Sequence, residues 1–144
     1  MIDKIAVGTD GSPTAGKAVE FALELAEQCG SHVIFISSYK PVDENRLRRE
    51  QREAPGEVQW KINPAEDVES TLRSAEEMAT ARGLSWTSEA REGDPADVLV
   101  DLAEEHEVDL LVIGNKGMER RLLGSIPNSV SHKARCSVAI IKTT

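Results

Sequence analysis

The 144-residue sequence has few aromatic residues, with only two Trp, one Tyr and two Phe. Its apolar residues are therefore mostly Val, Ile, Leu and Ala, and such a core favours an α/β sandwich whose strands are buried on both faces. The scarcity of aromatic rings also weighs against a flavin site. Neither a linker nor a repeat interrupts the chain, so we expect a single domain over residues 1–144.

Cysteine and histidine are also scarce, and they are scattered. Cys29 and Cys136 have neither a metal-binding nor a redox spacing, so we expect two small buried thiols and no disulfide. His32, His106 and His132 share no ligand spacing. We therefore expect these histidines at strand ends or in solvent rather than at a metal ion.

Basic residues are fewer than acidic ones: 17 Lys and Arg against 25 Asp and Glu give a net charge of −8. This charge argues against nucleic acid or an anionic membrane as a partner, because both need a basic surface. No apolar run approaches the ~20 residues of a membrane span. Residues Met1 to Ile5 lack the basic and apolar regions of a signal peptide, so we expect a cytoplasmic protein.

Apolar runs and capping residues alternate along the chain as they do in βαβ proteins. Ser12-Pro13 and Asp94-Pro95 are typical helix starts, and Gly30 is a typical helix stop. Two further helices are predicted after the cap Asn63 as far as Gly83 and from Ile126 to Lys133. The predicted strands are Lys4–Thr9, His32–Ser38, Leu84–Arg91, Leu110–Gly114 and Ser137–Lys142.

Five strands joined by helical crossovers predict a doubly wound, five-stranded parallel α/β sheet with helices on both faces. We predict the strand order 3-2-1-4-5, with the more polar third strand at an edge. Such sheets bind ligands beyond the carboxyl ends of the strands where the order reverses, here between the first and fourth strands. Two turns would then face each other across one crevice, Gly8-Thr9-Asp10 and Gly114-Asn115-Lys116-Gly117.

The sequence after the fourth predicted strand has the features of an anion site. Gly114 and Gly117 punctuate a short loop, and Gly124-Ser125 precedes a helix with Pro127 in its first turn. Backbone N–H groups at a glycine-rich turn and at a helix start attract phosphate. A bare Gly-x-x-Gly turn is equally compatible with a plain connection between strand and helix.

The segment from Tyr39 to Ile62 interrupts the alternation with prolines and a dense run of charged residues. A connection of this length without its own apolar pattern is uncommon in a compact domain. It has two interpretations, a solvated excursion or a flap over a ligand. In the second, one arginine would reach a phosphate, the candidates being Arg46, Arg48, Arg49 and Arg52.

Several strings of this sequence together resemble the universal stress protein family. They are Ile-Ala-Val-Gly-Thr-Asp-Gly-Ser, Gly-Asp-Pro-Ala-Asp, Val-Asp-Leu-Leu-Val-Ile-Gly and Gly-Ser-Ile-Pro-Asn-Ser-Val-Ser-His-Lys-Ala. Gly114, Gly117 and Gly124-Ser125 match the family's nucleotide-binding motif, Gly-x2-Gly-x9-Gly-[Ser/Thr]. The resemblance covers nearly the whole chain, and the Gly-Asn-Lys-Gly-Met form is similar to an actinobacterial single-domain branch. It implies the adenine nucleotide alpha hydrolase-like fold and an ATP-binding stress-response module that acts as a sensor or a nucleotide reservoir.

The resemblance also implies a role for each matching residue of the first two strand ends. Thr9 and Asp10 would lie at the ribose and the phosphates of ATP, with the Asp10 carboxylate at a ribose hydroxyl or a Mg²⁺ ion. Backbone groups near Ser38 would bind the adenine edge. Asp10 is also open to a plain interpretation as a turn former.

The glycine loop would form the phosphate side of this implied site. Gly114 and Gly117 would let the phosphates approach the backbone, and Gly124 and Ser125 would bind them at the helix N-terminus. Lys116 would neutralise phosphate charge. Ser125 is also open to interpretation as an ordinary helix N-cap.

The spacing departs from the family motif, because six residues separate Gly117 from Gly124 where the family has nine. The shorter loop either still brings both halves of the motif to a triphosphate or closes the pocket. Three functions therefore stay open: binding of ATP, or of cyclic AMP as in some of this branch; an ATPase or adenylating enzyme; and a protein-interaction module without nucleotide. No Walker A sequence is present and no general base stands beside the loop, so we expect at most slow hydrolysis.

The last predicted strand, Ser137–Lys142, is an apolar edge that a monomer would expose. In the family that the chain resembles, two subunits pair their final strands across a two-fold axis. We therefore expect a homodimer through this strand.

Overall fold

The computed structural model describes residues 1–39, 64–115 and 124–142. In these ranges the chain alternates strictly between strands and helices. The elements are β1 (Lys4–Gly8), α1 (Pro13–Cys29), β2 (His32–Tyr39), α2 (Pro64–Ala81), β3 (Trp86–Glu92), α3 (Pro95–Glu105), β4 (Leu110–Asn115), α4 (Ser125–Lys133) and β5 (Ser137–Lys142).

Several predictions fall on residues outside these ranges. They concern the phosphate-binding roles of Lys116 and Gly117, the helix cap Asn63, and the flap arginines Arg46, Arg48, Arg49 and Arg52. These predictions stay as they were made from the sequence.

The five strands form one parallel sheet in the order β3-β2-β1-β4-β5, which confirms the predicted topology. β1 lies at the centre, where Val7 pairs with Phe35 of β2 and with Val112 of β4. The chain moves from β1 toward one edge and from β4 toward the other. The strand order therefore reverses between β1 and β4, and a crevice opens at their carboxyl ends.

Two hydrophobic layers cover the sheet, one on each face. The first joins buried residues of α1 and α2 to alternate side chains of the central strands, such as Val7 and Phe35. The second joins α3 and the α4 residue Val130 to the intervening side chains, such as Ala6 and Ile34. The predicted inward face of α2 is confirmed, since all four of its members are buried: Val68, Leu72, Ala75 and Ala79.

Local capping chemistry fixes where the helices begin and end. The hydroxyl of Ser12 accepts a hydrogen bond from the Ala15 N–H at 3.1 Å, and the carboxylate of Asp94 accepts one from the Asp97 N–H at 3.3 Å. Gly30 ends α1 in the left-handed conformation at φ 68°. These caps confirm the predicted starts of α1 and α3 and the predicted end of α1.

The start of α4 contradicts the interpretation of Ser125 as an ordinary helix N-cap. Gly124 is the N-cap, with extended backbone, and Ser125 is the first helical residue. Ser125 is therefore not the N-cap. Glycine is an accepted N-cap residue, and its own N–H donates to the side chain of Asn115 at the end of β4.

The amino ends of the strands are joined by a carboxylate. One oxygen of Asp109 accepts the N–H groups of Asp3 at 2.8 Å and Lys4 at 3.0 Å, and these two bonds lower the pKa of Asp109. The bonds connect the residue before β4 to the start of β1. They therefore fix the register of the two strands whose other ends form the crevice.

The scattered residues are placed only in part as expected. His132 is exposed on α4, but His106, expected at a strand end or in solvent, is the partly buried C-cap of α3, with its Nε2 atom 2.8 Å from Glu89 Oε1.

His32 begins β2, and burial lowers its pKa; its ring contacts the hydroxyls of Ser85 and Thr87 at 2.9 and 2.7 Å.

Both cysteines are free thiols. Cys136 is only partly buried. The expected burial of Cys29 is wrong, because it is the last residue of α1 and is exposed beyond the core.

The edge strand β3 begins at Trp86 rather than at the predicted Leu84.

In the described ranges, no helix is both long enough and apolar enough to cross a membrane.

Candidate functional site

A cavity of about 240 Å³ opens where the strand order reverses. Residues of three helix starts and of the carboxyl ends of β1, β2 and β4 line it. They are Gly8, Thr9, Asp10, Ser12, Thr14, Ala15, Ile36, Ser38, Pro95, Leu99, Ile113, Gly114, Gly124, Ser125, Ile126 and Pro127. Seven residues predicted to bind nucleotide are thus brought to one cavity: Gly8, Thr9, Asp10, Ser38, Gly114, Gly124 and Ser125.

The turn after β1 is held rigidly. The Thr9 N–H donates to the carbonyl of Ile36 at 2.9 Å, which extends the pairing of β1 with β2, and Thr9 is buried. The Asp10 carboxylate accepts the Ser12 N–H at 2.9 Å, so the turn-forming role considered for Asp10 is present. Asp10 is also exposed at the cavity, where its carboxylate can meet a ligand.

Two glycines allow helices to pack closely against the strand ends. A Cβ atom on Gly8 would lie 2.7 Å from Leu99 Cδ2, and one on Gly114 would lie 2.9 Å from the backbone oxygen of Thr14. Gly8 therefore brings α3 against β1, and Gly114 brings the start of α1 against β4. The predicted function of Gly114 was approach to phosphate; the structure adds this packing role.

The N-termini of α1, α3 and α4 all meet the cavity. A helix N-terminus carries a partial positive charge and unpaired N–H groups. Each helix loses one first-turn donor to a proline, namely Pro13, Pro95 and Pro127. In α1 and α3 a capping side chain also binds the third N–H group, whereas no side chain of the described residues caps α4, so the N–H groups of Ser125 and Ile126 are left for a ligand. The start of α4 is therefore the part of this cavity best suited to bind an anion.

Sequence reasoning missed the apolar wall of the cavity. Ile36, Leu99, Ile113 and Ile126 line it, and Ile126 is 39% exposed there. The side chains come from four different elements, so no periodicity in one segment could reveal them. Together they form a surface suited to a flat, weakly polar ring.

Asn115 differs from the other predicted residues. It is 0% exposed and is not among the described residues that line the cavity. Its Oδ1 accepts the N–H of Gly124 at 2.9 Å.

A second cavity, of about 290 Å³, lies between α1 and α2 on the other side of the Thr9 to Ser12 turn. It is the larger of the two, but the hydroxyls of Ser70 and Ser74 in its lining lie on exposed residues. We place the candidate site in the first cavity, because it lies at the strand ends and combines an apolar wall with helix N-termini.

In the described ranges, no group of three or more His, Cys, Asp or Glu side chains is arranged to hold a metal ion. Asp10 is the only ionisable side chain among the described residues of the cavity lining.

The fold and the cavity define an α/β protein with an adenine nucleotide alpha hydrolase-like sheet and a ligand crevice between β1 and β4. The family model of the universal stress protein family matches residues 1–142. The chain therefore belongs to the universal stress protein family.

Individual relatives agree with this assignment. A universal stress protein of Mycobacterium tuberculosis is 35% identical over 144 residues, covering 97% of this chain and 96% of its own. A crystal structure of a universal stress protein in complex with cAMP is 31% identical, with a TM-score of 0.73, covering 99% of this chain and 98% of that one. The universal stress protein of Archaeoglobus fulgidus in complex with dAMP is 24% identical, with a TM-score of 0.69, and covers 99% and 100% of the two chains.

Proposed function

We propose that this universal stress protein binds an adenine nucleotide in the crevice between β1 and β4 and acts in the stress response as a nucleotide sensor or reservoir. One observation carries the proposal. The turn after β1, the end of β4 and the start of α4 line one cavity, and an apolar wall lines the same cavity. The relative at 31% identity whose structure is a complex with cAMP supports this ligand class.

Different regions of the cavity suit the adenine, ribose and phosphate groups of the ligand. Its volume of about 240 Å³ is slightly below the ~300–1,000 Å³ of typical small-molecule sites. We assign the apolar wall to the adenine ring, with backbone groups near Ser38 at the adenine edge. Thr9 and Asp10 would meet the ribose, and Gly114, Gly124 and Ser125 would meet the phosphates, together with Gly117 and Lys116.

ATP is the proposed ligand, and cyclic AMP is the second candidate, favoured by the complex of the 31% identical relative. A Mg²⁺ ion would be held mainly by phosphate oxygens, with Asp10 as its protein ligand. Because Asp10 already accepts the Ser12 N–H and is the only ionisable side chain of the described lining, we propose binding with at most slow hydrolysis.

Isothermal titration with ATP and with cyclic AMP, each with and without Mg²⁺, tests the ligand. For at least one of them we expect a dissociation constant in the micromolar range, which corresponds to a binding free energy on the order of −8 kcal/mol. GTP is the control, since the adenine-edge contacts should reject a guanine. Absence of heat with both adenine nucleotides at millimolar concentration would contradict the proposal and favour a protein-interaction module.

We further propose that the protein is a homodimer through β5. The inner residues of this edge strand are all apolar and only partly buried, namely Val138, Ala139, Ile140 and Ile141. The opposite edge strand, β3, carries charged residues instead, and Arg91 and Glu89 pair with residues at the end of α3. Charges discourage pairing at a sheet edge, so β5 is the edge available to a second copy.

A pair of identical substitutions tests this interface. Ala139→Lys places a charge on β5, and Ala90→Lys places the same charge on an exposed position of β3. Sedimentation velocity should show a monomer for the first variant and an unchanged dimer for the second, with circular dichroism confirming that both are folded. Equal oligomeric states for the two variants would contradict pairing through β5.

The cytoplasmic location expected from the sequence stays a prediction.

A further inference from the structure

A buried side-chain amide lies at the end of β4. Asn115 has no exposed surface, although Asn is a residue that is mostly found exposed. Burial of its side-chain amide is unfavourable unless hydrogen bonds compensate. One of these is the bond that its Oδ1 accepts from the Gly124 N–H at 2.9 Å.

This bond joins β4 to α4 through two residues that are nine positions apart in the sequence. Asn115 ends β4, and Gly124 is the N-cap of α4. The carbonyl of Gly124 also accepts the Asn128 N–H at 3.0 Å, so the cap residue is fixed on both sides. The first two N–H donors of α4, on Ser125 and Ile126, follow directly.

The position of these two donors therefore depends on the Asn115 side chain. Gly114, which lines the cavity, precedes Asn115, and Gly124 and Ser125 line it from the other side. The bond sets the distance between the two halves of the glycine motif from inside the protein, in a site that water does not reach.

We propose that Asn115 is a positioning residue for phosphate: it holds the start of α4 so that its N–H groups point into the crevice. This proposal rests on the adenine-nucleotide function proposed above. It also predicts that the motif tolerates a loop three residues shorter than the family pattern. The buried bond between Asn115 and Gly124, rather than the length of the chain between them, fixes where the phosphate donors lie.

Loss of the bond should act mainly on phosphate binding. In the apolar wall proposed for adenine, Ile36 of β2 and Leu99 of α3 are not held by the bond, whereas Ile126 lies at the start of α4. Loss of the bond should therefore weaken binding of the nucleotide phosphates much more than binding of the nucleoside. A residue needed only for folding would weaken both equally.

The test uses Asn115→Leu, which removes the acceptor but keeps the branched shape of the side chain, and Asn115→Asp, which keeps an acceptor oxygen at the same position. We expect Asn115→Leu to weaken ATP binding by about tenfold or more, with adenosine affinity within about twofold of wild type. Asn115→Asp should recover part of the ATP affinity, because it restores the acceptor but adds a negative charge near the phosphates. Asn128→Leu, the same substitution at an exposed position of α4, is the matched control and should change neither affinity.

Amide hydrogen exchange gives a second readout in the same proteins. The Gly124 N–H should exchange slowly in wild type and in Asn115→Asp, and faster in Asn115→Leu. If wild type binds ATP but Asn115→Leu loses ATP and adenosine equally, or loses neither, the positioning role is overturned. If wild type binds neither ligand, the proposed nucleotide function fails, and the positioning role fails with it.

Discussion

Replacement of Gly114 by Ala is expected to lower the free energy of unfolding by about 1–3 kcal/mol and to weaken nucleotide binding by about tenfold or more. The new Cβ would lie 2.9 Å from the Thr14 backbone oxygen and 3.0 Å from Thr14 Cγ2. A backbone oxygen cannot rotate away as a side chain can, so β4 or the start of α1 must shift. Both elements line the crevice.

The matched control is Gly16→Ala in α1. A Cβ on Gly16 would meet no atom within 4 Å, and its backbone is helical. Ala is preferred over Gly inside a helix by roughly 0.5–1 kcal/mol, so this variant should be more stable than wild type. Urea unfolding and ATP titration of both variants provide the measurement. A Gly114→Ala protein with wild-type stability and affinity would show that the close packing of β4 against α1 does not support the site.

Phe35→Ala is expected to have the largest effect on stability, about 3–5 kcal/mol. Phe35 lies in the middle of β2, is 0% exposed and packs in the layer formed with α1 and α2. Its removal would leave a cavity that the neighbouring aliphatic side chains cannot fill without moving a central strand.

The second phenylalanine provides the control, since Phe21 lies on α1 and is 41% exposed. Phe21→Ala should change the free energy of unfolding by no more than about 0.5 kcal/mol. Guanidinium denaturation at one protein concentration compares the two variants. Similar losses of stability for Phe35→Ala and Phe21→Ala would contradict the assignment of the core.

The parts of the fold that could be predicted depend on local chemistry. Ser12-Pro13, Asp94-Pro95 and Gly30 determine helix ends through bonds within a few residues, and these predictions are confirmed. The apolar run of β4 identified a strand buried on both faces in the same way. Its place beside β1 came from the predicted strand order 3-2-1-4-5, which the structure confirms.

The parts that could not be predicted depend on contacts between distant elements. The N-cap of α4, Gly124, is bonded to Asn115 at the end of β4, a contact between two separate elements. The apolar wall needs Ile36, Leu99 and Ile126 from three separate elements. The burial of Asn115 and its bond to Gly124 join β4 to α4, and no local pattern in the sequence encodes this contact.

The convergence of three helix N-termini in a protein of net charge −8 has a consequence for selectivity among anions. At long range the acidic surface repels every anion, and only inside the crevice does the local potential become favourable. A mononucleotide is short enough to lie wholly within that region. A long polyanion would have to lie across the acidic exterior, so we expect the same arrangement to favour a free nucleotide over a nucleic acid strand that carries the same bases.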